Sequence, residues 1–193
     1  MHDNESKIRA FIALQPDEEA RKKIADVQSV FRSLPSQVKW ETSRNFHITA
    51  KFLGDTAIDV PETLKTRIGS QSLPAQFSAL IDTVGCFPRI SNPRIIWIGF
   101  STVPDEMHEI GRICEEVSYA CGFDREEKKF HPHFTIGRVK GTRGLIDLQN
   151  ALQTIRFDPF TVHFNAVSMM KSVLQPTGSL YTELYKIPLA IIA

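Results

Sequence analysis

The chain has 193 residues, 42% of them hydrophobic and 23% charged, with 10 glycines and 11 prolines. That is the balance of a folded protein whose core needs no disulfides, and it excludes disordered, collagenous and low-complexity classes. Lys and Arg number 23 against 22 Asp and Glu, a net charge of +1, so an all-over basic coat for nucleic acid is excluded while a local basic cleft is not.

The N-terminus, residues 1–5, is polar and acidic and does not read as a secretory signal. Residues 8–14 read as a first strand. Gln15-Pro16-Asp17 then turns the chain, and Asp17 is placed to cap a helix over 18–32 whose stripe is Ile24, Val27 and Phe31. Leu34-Pro35 ends that helix. A short strand near 38–40 precedes a stronger one at 46–53, closed by Gly54-Asp55. A helix over 61–70 follows, then strands over 77–86 and 94–100 joined by a turn at 88–93. Residues 104–121 form a third helix with Met107, Ile110, Ile113, Cys114 and Val117 facing inward. The charge run 124–129 is expected as a solvated loop. A strand at 134–139, a helix at 145–155, a strand at 160–170, a loop at 171–179 and a last strand at 180–187 complete the chain. No apolar run approaches the ~20 residues of a membrane span. Cys86, Cys114 and Cys121 lack any CxxC spacing, which predicts reduced thiols in a cytoplasmic protein rather than a disulfide frame or zinc knuckle.

Neighbouring strands read as hairpin-linked, which predicts α+β with antiparallel sheets, and no linker divides residues 1–193, which predicts a single bilobed domain. The order strand, helix, His-bearing strand occurs in each half. Small size and near-neutral charge point to a monomer.

Two segments carry candidate chemistry. One is Phe46-His47-Ile48-Thr49-Ala50-Lys51-Phe52, the other Phe130-His131-Pro132-His133-Phe134-Thr135-Ile136-Gly137-Arg138; each holds His-x-Thr. Side chains alternate along a strand, so His47, Thr49 and Lys51 share one face while Phe46, Ile48, Ala50 and Phe52 share the other. His133 and Thr135 likewise share a face, and His131 joins it if the strand begins early. Imidazole exchanges protons near neutrality, and a neighbouring hydroxyl can bond a phosphoryl oxygen. Two such strands across a groove would bracket one phosphorus, one His deprotonating water and the other protonating the departing oxygen. The scheme needs no metal or other cofactor, and His131-x-His133 lacks the third and fourth ligands of a zinc site.

On these motifs, with Phe-Leu-Gly after the first and Pro inside the second, the chain resembles the RNA 2',3'-cyclic phosphodiesterases of the two-histidine phosphoesterase superfamily, also known as 2'-5' RNA ligases. The likeness runs through Arg9-Ala10-Phe11-Ile12-Ala13-Leu14, then 45–54 and 130–138 around the two motifs, with weaker echoes at 92–99, 170–174 and 178–185. It implies two α+β lobes in pseudo-twofold arrangement with a cleft between them. It implies hydrolysis of RNA 2',3'-cyclic phosphate ends to 2'-phosphates, with 2'-5' ligation, for instance of tRNA halves, as a second activity. His47 and His133 would be catalytic, with His47 protonating the 3'-oxygen and His133 activating water. Thr49, Thr135 and Arg138 would hold the phosphate. Phe46, Lys51 and His131 are candidate RNA or nucleotide contacts, and Arg44, Arg89, Arg94, Lys140 and Arg143 are candidate backbone contacts, each taken singly reading as an ordinary surface charge. Strict alternation sets Arg138 opposite His133, so its role requires an irregularity near Gly137. The alternatives are a relative acting on another cyclic nucleotide or an oligouridine tail, and a non-catalytic module that binds RNA ends.

Overall fold

The computed structural model describes residues 7–176 and 178–191. In chain order the elements are β1 (Lys7–Leu14), α1 (Glu18–Arg32), β2 (Val38–Trp40), a 3-10 turn at Ser43–Asn45, β3 (Ile48–Ala57), α2 (Val60–Gly69), β4 (Phe77–Ile81), β5 (Thr83–Arg89), β6 (Asn92–Gly99), α3 (Asp105–Ala120), β7 (His133–Val139), α4 (Leu145–Thr154), β8 (Phe160–Phe164), β9 (Ala166–Gln175) and β10 (Gly178–Pro188). The class is α+β. Two four-stranded antiparallel sheets run β10-β9-β1-β3 and β2-β7-β6-β5, and β4 and β8 form a small third pair.

Two expected strands each divide in two. Residues 77–86 break at Asp82, whose Oδ1 accepts hydrogen bonds from Ser101 N at 2.7 Å and Thr83 Oγ1 at 2.9 Å. This pins a corner, so that β4 pairs with β8 while β5 pairs with β6. Residues 160–170 break at Asn165 for the same reason of sheet switching, and β9 then continues to Gln175 through what read as a loop. The heptad-like stripe of α1 is buried as expected, and Asp17 Oδ1 accepts from Ala20 N at 2.9 Å. Such a cap contributes about 1 kcal/mol.

The two halves repeat one plan. β1 pairs antiparallel with β3 across α1, and β6 pairs antiparallel with β7 across α3. The helices are exchanged between halves. Gln28 of α1 donates to Ile136 O of β7 at 2.7 Å, and Glu115 of α3 pairs with Lys51 of β3 at 2.8 Å. One continuous apolar core draws side chains from all four helices and both large sheets. Phe11, Ala13 and Met170 form a separate cluster on the opposite face of the first sheet, under Tyr181.

No helix among the described residues is long and apolar enough to cross a membrane.

Candidate active site

Each His-bearing strand contains a β-bulge one residue after its threonine. Along β3, Thr49 pairs with Ala13 and Lys51 with Ile12, which leaves Ala50 as the extra residue. Along β7, Thr135 pairs with Trp97 and Gly137 with Ile96, which leaves Ile136 as the extra residue. A bulge sets two residues against one and restarts the alternation of faces. The residue three places beyond each threonine therefore returns to the threonine's face. That residue is Arg138 in β7 and Phe52 in β3.

The bulge in β7 is held from outside the strand. Ile136 O accepts from Gln28 Nε2 at 2.7 Å and from Glu41 N at 3.0 Å. Gly137 is required by close packing, since a Cβ there would lie 2.8 Å from Trp40 and Val38 side-chain atoms.

His47, Thr49, His133, Thr135 and Arg138 then meet around one small cavity of about 50 Å³, closed by Glu41, Asn45 and Tyr181. A cavity of this size holds a few water-sized groups, the scale of a phosphoryl group. The two imidazoles are held alike. His47 Nδ1 lies 2.7 Å from Asn45 O, and His133 Nδ1 lies 2.7 Å from His131 O. A carbonyl oxygen only accepts, so each Nδ1 carries the hydrogen and each Nε2 of the neutral ring keeps its lone pair. His47 Nε2 is 3.2 Å from Thr49 Oγ1. Asn45 is itself buried and tied by Nδ2 to Ser179 O of β10 at 2.9 Å.

Burial pushes the His47 imidazole down to about 4; the Asn45 carbonyl opposes this, and the nearby His133, Arg138 and Arg21 charges add to it. Burial also lowers His133, against the pull of the His131 carbonyl and with help from the His131 and Arg138 charges. Both shifts run downward, which leaves the rings neutral at pH 7, and a bound phosphate anion would favour their protonated forms.

Two walls of aromatic rings flank the pair. Phe11 and Tyr181 stand 4.8 and 5.1 Å from the His47 ring, centre to centre. Phe87 and Trp97 stand 5.0 and 6.1 Å from the His133 ring. Arg138 Nε donates to Glu41 Oε1 at 3.1 Å, which fixes the guanidinium beside the cavity. Next to it, Lys39, Arg44, Arg138 and Lys140 line a larger recess of about 340 Å³.

Three sequence expectations need correction. Phe46 is 1% exposed and packs in the core, so it touches no nucleotide. Lys51 does not share the His47 face, because the bulge at Ala50 turns it inward. It is 2% exposed, and its Nζ donates to Glu115 Oε2 at 2.8 Å and Asp124 O at 2.6 Å. The charge run at 124–129 is an exposed loop, as expected, and only its backbone reaches inward, through Asp124 O and through Glu126 N–H, which donates to Glu115 Oε1 at 2.9 Å. Phe52, grouped with the core by alternation, instead faces the cleft. His131 is exposed and rests edge-on against Phe87 and Trp97. Glu41, Asn45, Phe11 and Tyr181 were not singled out as site residues; Asn45, Phe11 and Tyr181 lie within the resemblance, whereas Glu41 carries no local signal. Among the described residues no group of three or more His, Cys, Asp and Glu side chains is arranged to hold a metal ion.

The model of a family described as LigT like Phosphoesterase matches residues 14–97 and 101–181. The chain belongs to this family. Its relatives include the RNA 2',3'-cyclic phosphodiesterase of Methanothermobacter thermautotrophicus, 31% identical over 92% of this chain and 97% of that protein. The RNA 2',3'-cyclic phosphodiesterase of Thermotoga maritima is 31% identical over 93% of this chain and 94% of that protein. Among solved structures, Escherichia coli LigT complexed with 3'-AMP superposes with a TM-score of 0.76 at 18% identity, over 95% of this chain and 99% of that one. This last likeness bears on the fold alone.

Proposed function

We propose that this protein hydrolyses RNA 2',3'-cyclic phosphate ends to 2'-phosphates by metal-independent acid–base catalysis. The observation that carries the reading is the convergence of His47 and His133, each with its threonine, on one cavity of phosphoryl size beside Arg138. The family and the names of its relatives supply the substrate class.

The reaction balances as follows. Water adds to phosphorus as the bond from phosphorus to the 3'-oxygen breaks. His133 Nε2 takes the proton of the water, and His47 Nε2 delivers one to the 3'-oxygen. The product carries a 2'-phosphate and a free 3'-hydroxyl. Because burial pushes His47 down to about 4, it acts as acid at neutral pH only with the phosphate anion beside it. Thr49 and Thr135 hydroxyls and the Arg138 guanidinium hold the nonbridging oxygens and offset the charge that develops on them. Glu41 positions Arg138, and the Asn45 and His131 carbonyls orient the two rings. The recess lined by Lys39, Arg44 and Lys140 suits preceding phosphodiesters of the strand. With the 5'-hydroxyl of a second strand in place of water as the nucleophile, the same displacement, in which the phosphorus to 3'-oxygen bond again breaks and the 3'-oxygen is again protonated, would form a 2'-5' bond between RNA pieces such as tRNA halves. We take the working unit to be the whole chain as one two-lobed domain, a monomer in the cytoplasm.

The test is an oligonucleotide ending in a 2',3'-cyclic phosphate, incubated with the protein in excess chelator. A 2'-phosphate product is expected. A 3'-phosphate would reverse the leaving group, activity abolished by chelator would require a metal, and binding without turnover would leave only a module for RNA ends.

A further inference from the structure

Among the buried residues of α1 one is polar, Gln28, at 3% exposure. A glutamine on a buried helical stripe gives up side-chain freedom and apolar packing that a leucine would turn to stability. Both hydrogens of its amide are in use. Nε2 donates to Ile136 O at 2.7 Å and to Glu41 O at 2.8 Å. Carbonyl oxygens only accept, so these two partners fix the orientation of the amide.

The two carbonyls meet at one place in the fold. β2 pairs regularly with β7 as far as Trp40 opposite Gly137. Beyond that pair stand Glu41 on one strand and Ile136, the extra residue of the bulge, on the other, joined by a hydrogen bond from Glu41 N to Ile136 O at 3.0 Å. Gln28 bridges both residues from the helix and closes the end of the ladder. The backbone clamped in this way carries both members of one ion pair. Arg138 stands two residues beyond Ile136, and its Nε donates to Glu41 Oε1 at 3.1 Å. The Arg138 side chain is 42% exposed, and a pair this open to water holds its members weakly by itself. The guanidinium is therefore aimed at the phosphate cavity by the backbone beneath the pair.

We propose that Gln28 is a positioning residue for phosphate binding: its amide locks the β7 bulge to Glu41 and so sets Arg138 at the cavity. Gln28 itself touches no substrate. The inference deepens the reading of Arg138 as a phosphate ligand and rests on it.

The test is a double-mutant cycle on the affinity for adenosine 2'-monophosphate, measured by calorimetry, with the denaturant midpoint of each variant measured alongside. Arg138→Ala is expected to weaken binding by about 10- to 150-fold, the scale of one hydrogen bond to a charged group. Gln28→Met keeps an unbranched side chain and removes both donors; it should weaken binding by about 5-fold or more, the scale of one ordinary hydrogen bond. Added to Arg138→Ala, it should weaken binding no further, because the group it positions is gone. Its effect on the denaturant midpoint should be the same in both backgrounds. Gln28→Leu serves as an independent second variant with the same expected pattern. Equal weakening in both backgrounds, or wild-type affinity in the folded Gln28 variants, overturns the positioning role and leaves Arg138 as a phosphate ligand. Wild-type affinity in Arg138→Ala removes the phosphate role of Arg138 and the positioning role with it.

Discussion

Replacing His47 or His133 with alanine is expected to lower the rate of cyclic phosphate hydrolysis by about 10²- to 10⁴-fold, the usual contribution of a positioned acid or base. The two losses should not multiply in the double variant, because proton donation and removal occur in one displacement and each group depends on the other. A substrate with sulfur in place of the 3'-oxygen separates the roles. A thiolate leaves without protonation, so this substrate should restore much of the activity of His47→Ala and little of that of His133→Ala. The opposite pattern would exchange acid and base while keeping the paired mechanism. Near-normal turnover by either alanine variant would make that imidazole structural.

Replacing Lys51 with methionine is expected to cost stability rather than RNA affinity. The ammonium is 2% exposed and pairs with a Glu115 side chain that keeps 22% of its surface open. Removing one partner of a buried pair strands the other charge, and about 3 kcal/mol of unfolding free energy should be lost, read from the denaturant midpoint. The Asp124 carbonyl also loses its donor. Adding Glu115→Leu should recover a good part of the loss, because an apolar pair can replace an ion pair at little cost. A stable Lys51→Met protein with a raised KM for RNA would return Lys51 to the cleft and contradict the bulge at Ala50.

How far the sequence could be read follows from where strand alternation holds. The helical stripes, the Asp17 cap and both His-x-Thr faces obey simple periodicity and were legible. Phe52 and Lys51 are misplaced by a single cause, the extra residue at Ala50, which exchanges their faces before a second extra residue at Leu53 restores the alternation. The same device in β7 was anticipated only because Arg138 had to reach the phosphate, with Gly137 as the local cue. The divisions at Asp82 and Asn165 are not legible in the sequence, because a switch between sheets leaves the apolar pattern unbroken. Glu41 and Gln28 act on Arg138 and the Ile136 carbonyl from distant segments, through contacts that no local spacing encodes.

The central claim is that the two imidazoles serve one phosphorus, and NMR titration of both rings, with and without adenosine 2'-monophosphate, tests it most directly. In the free protein His47 should titrate near 4 and His133 below the ordinary histidine value. A phosphate anion between the rings favours both imidazolium forms, so both values should rise when the nucleotide is added. A rise at only one ring, or at neither while the nucleotide binds elsewhere, would contradict the account.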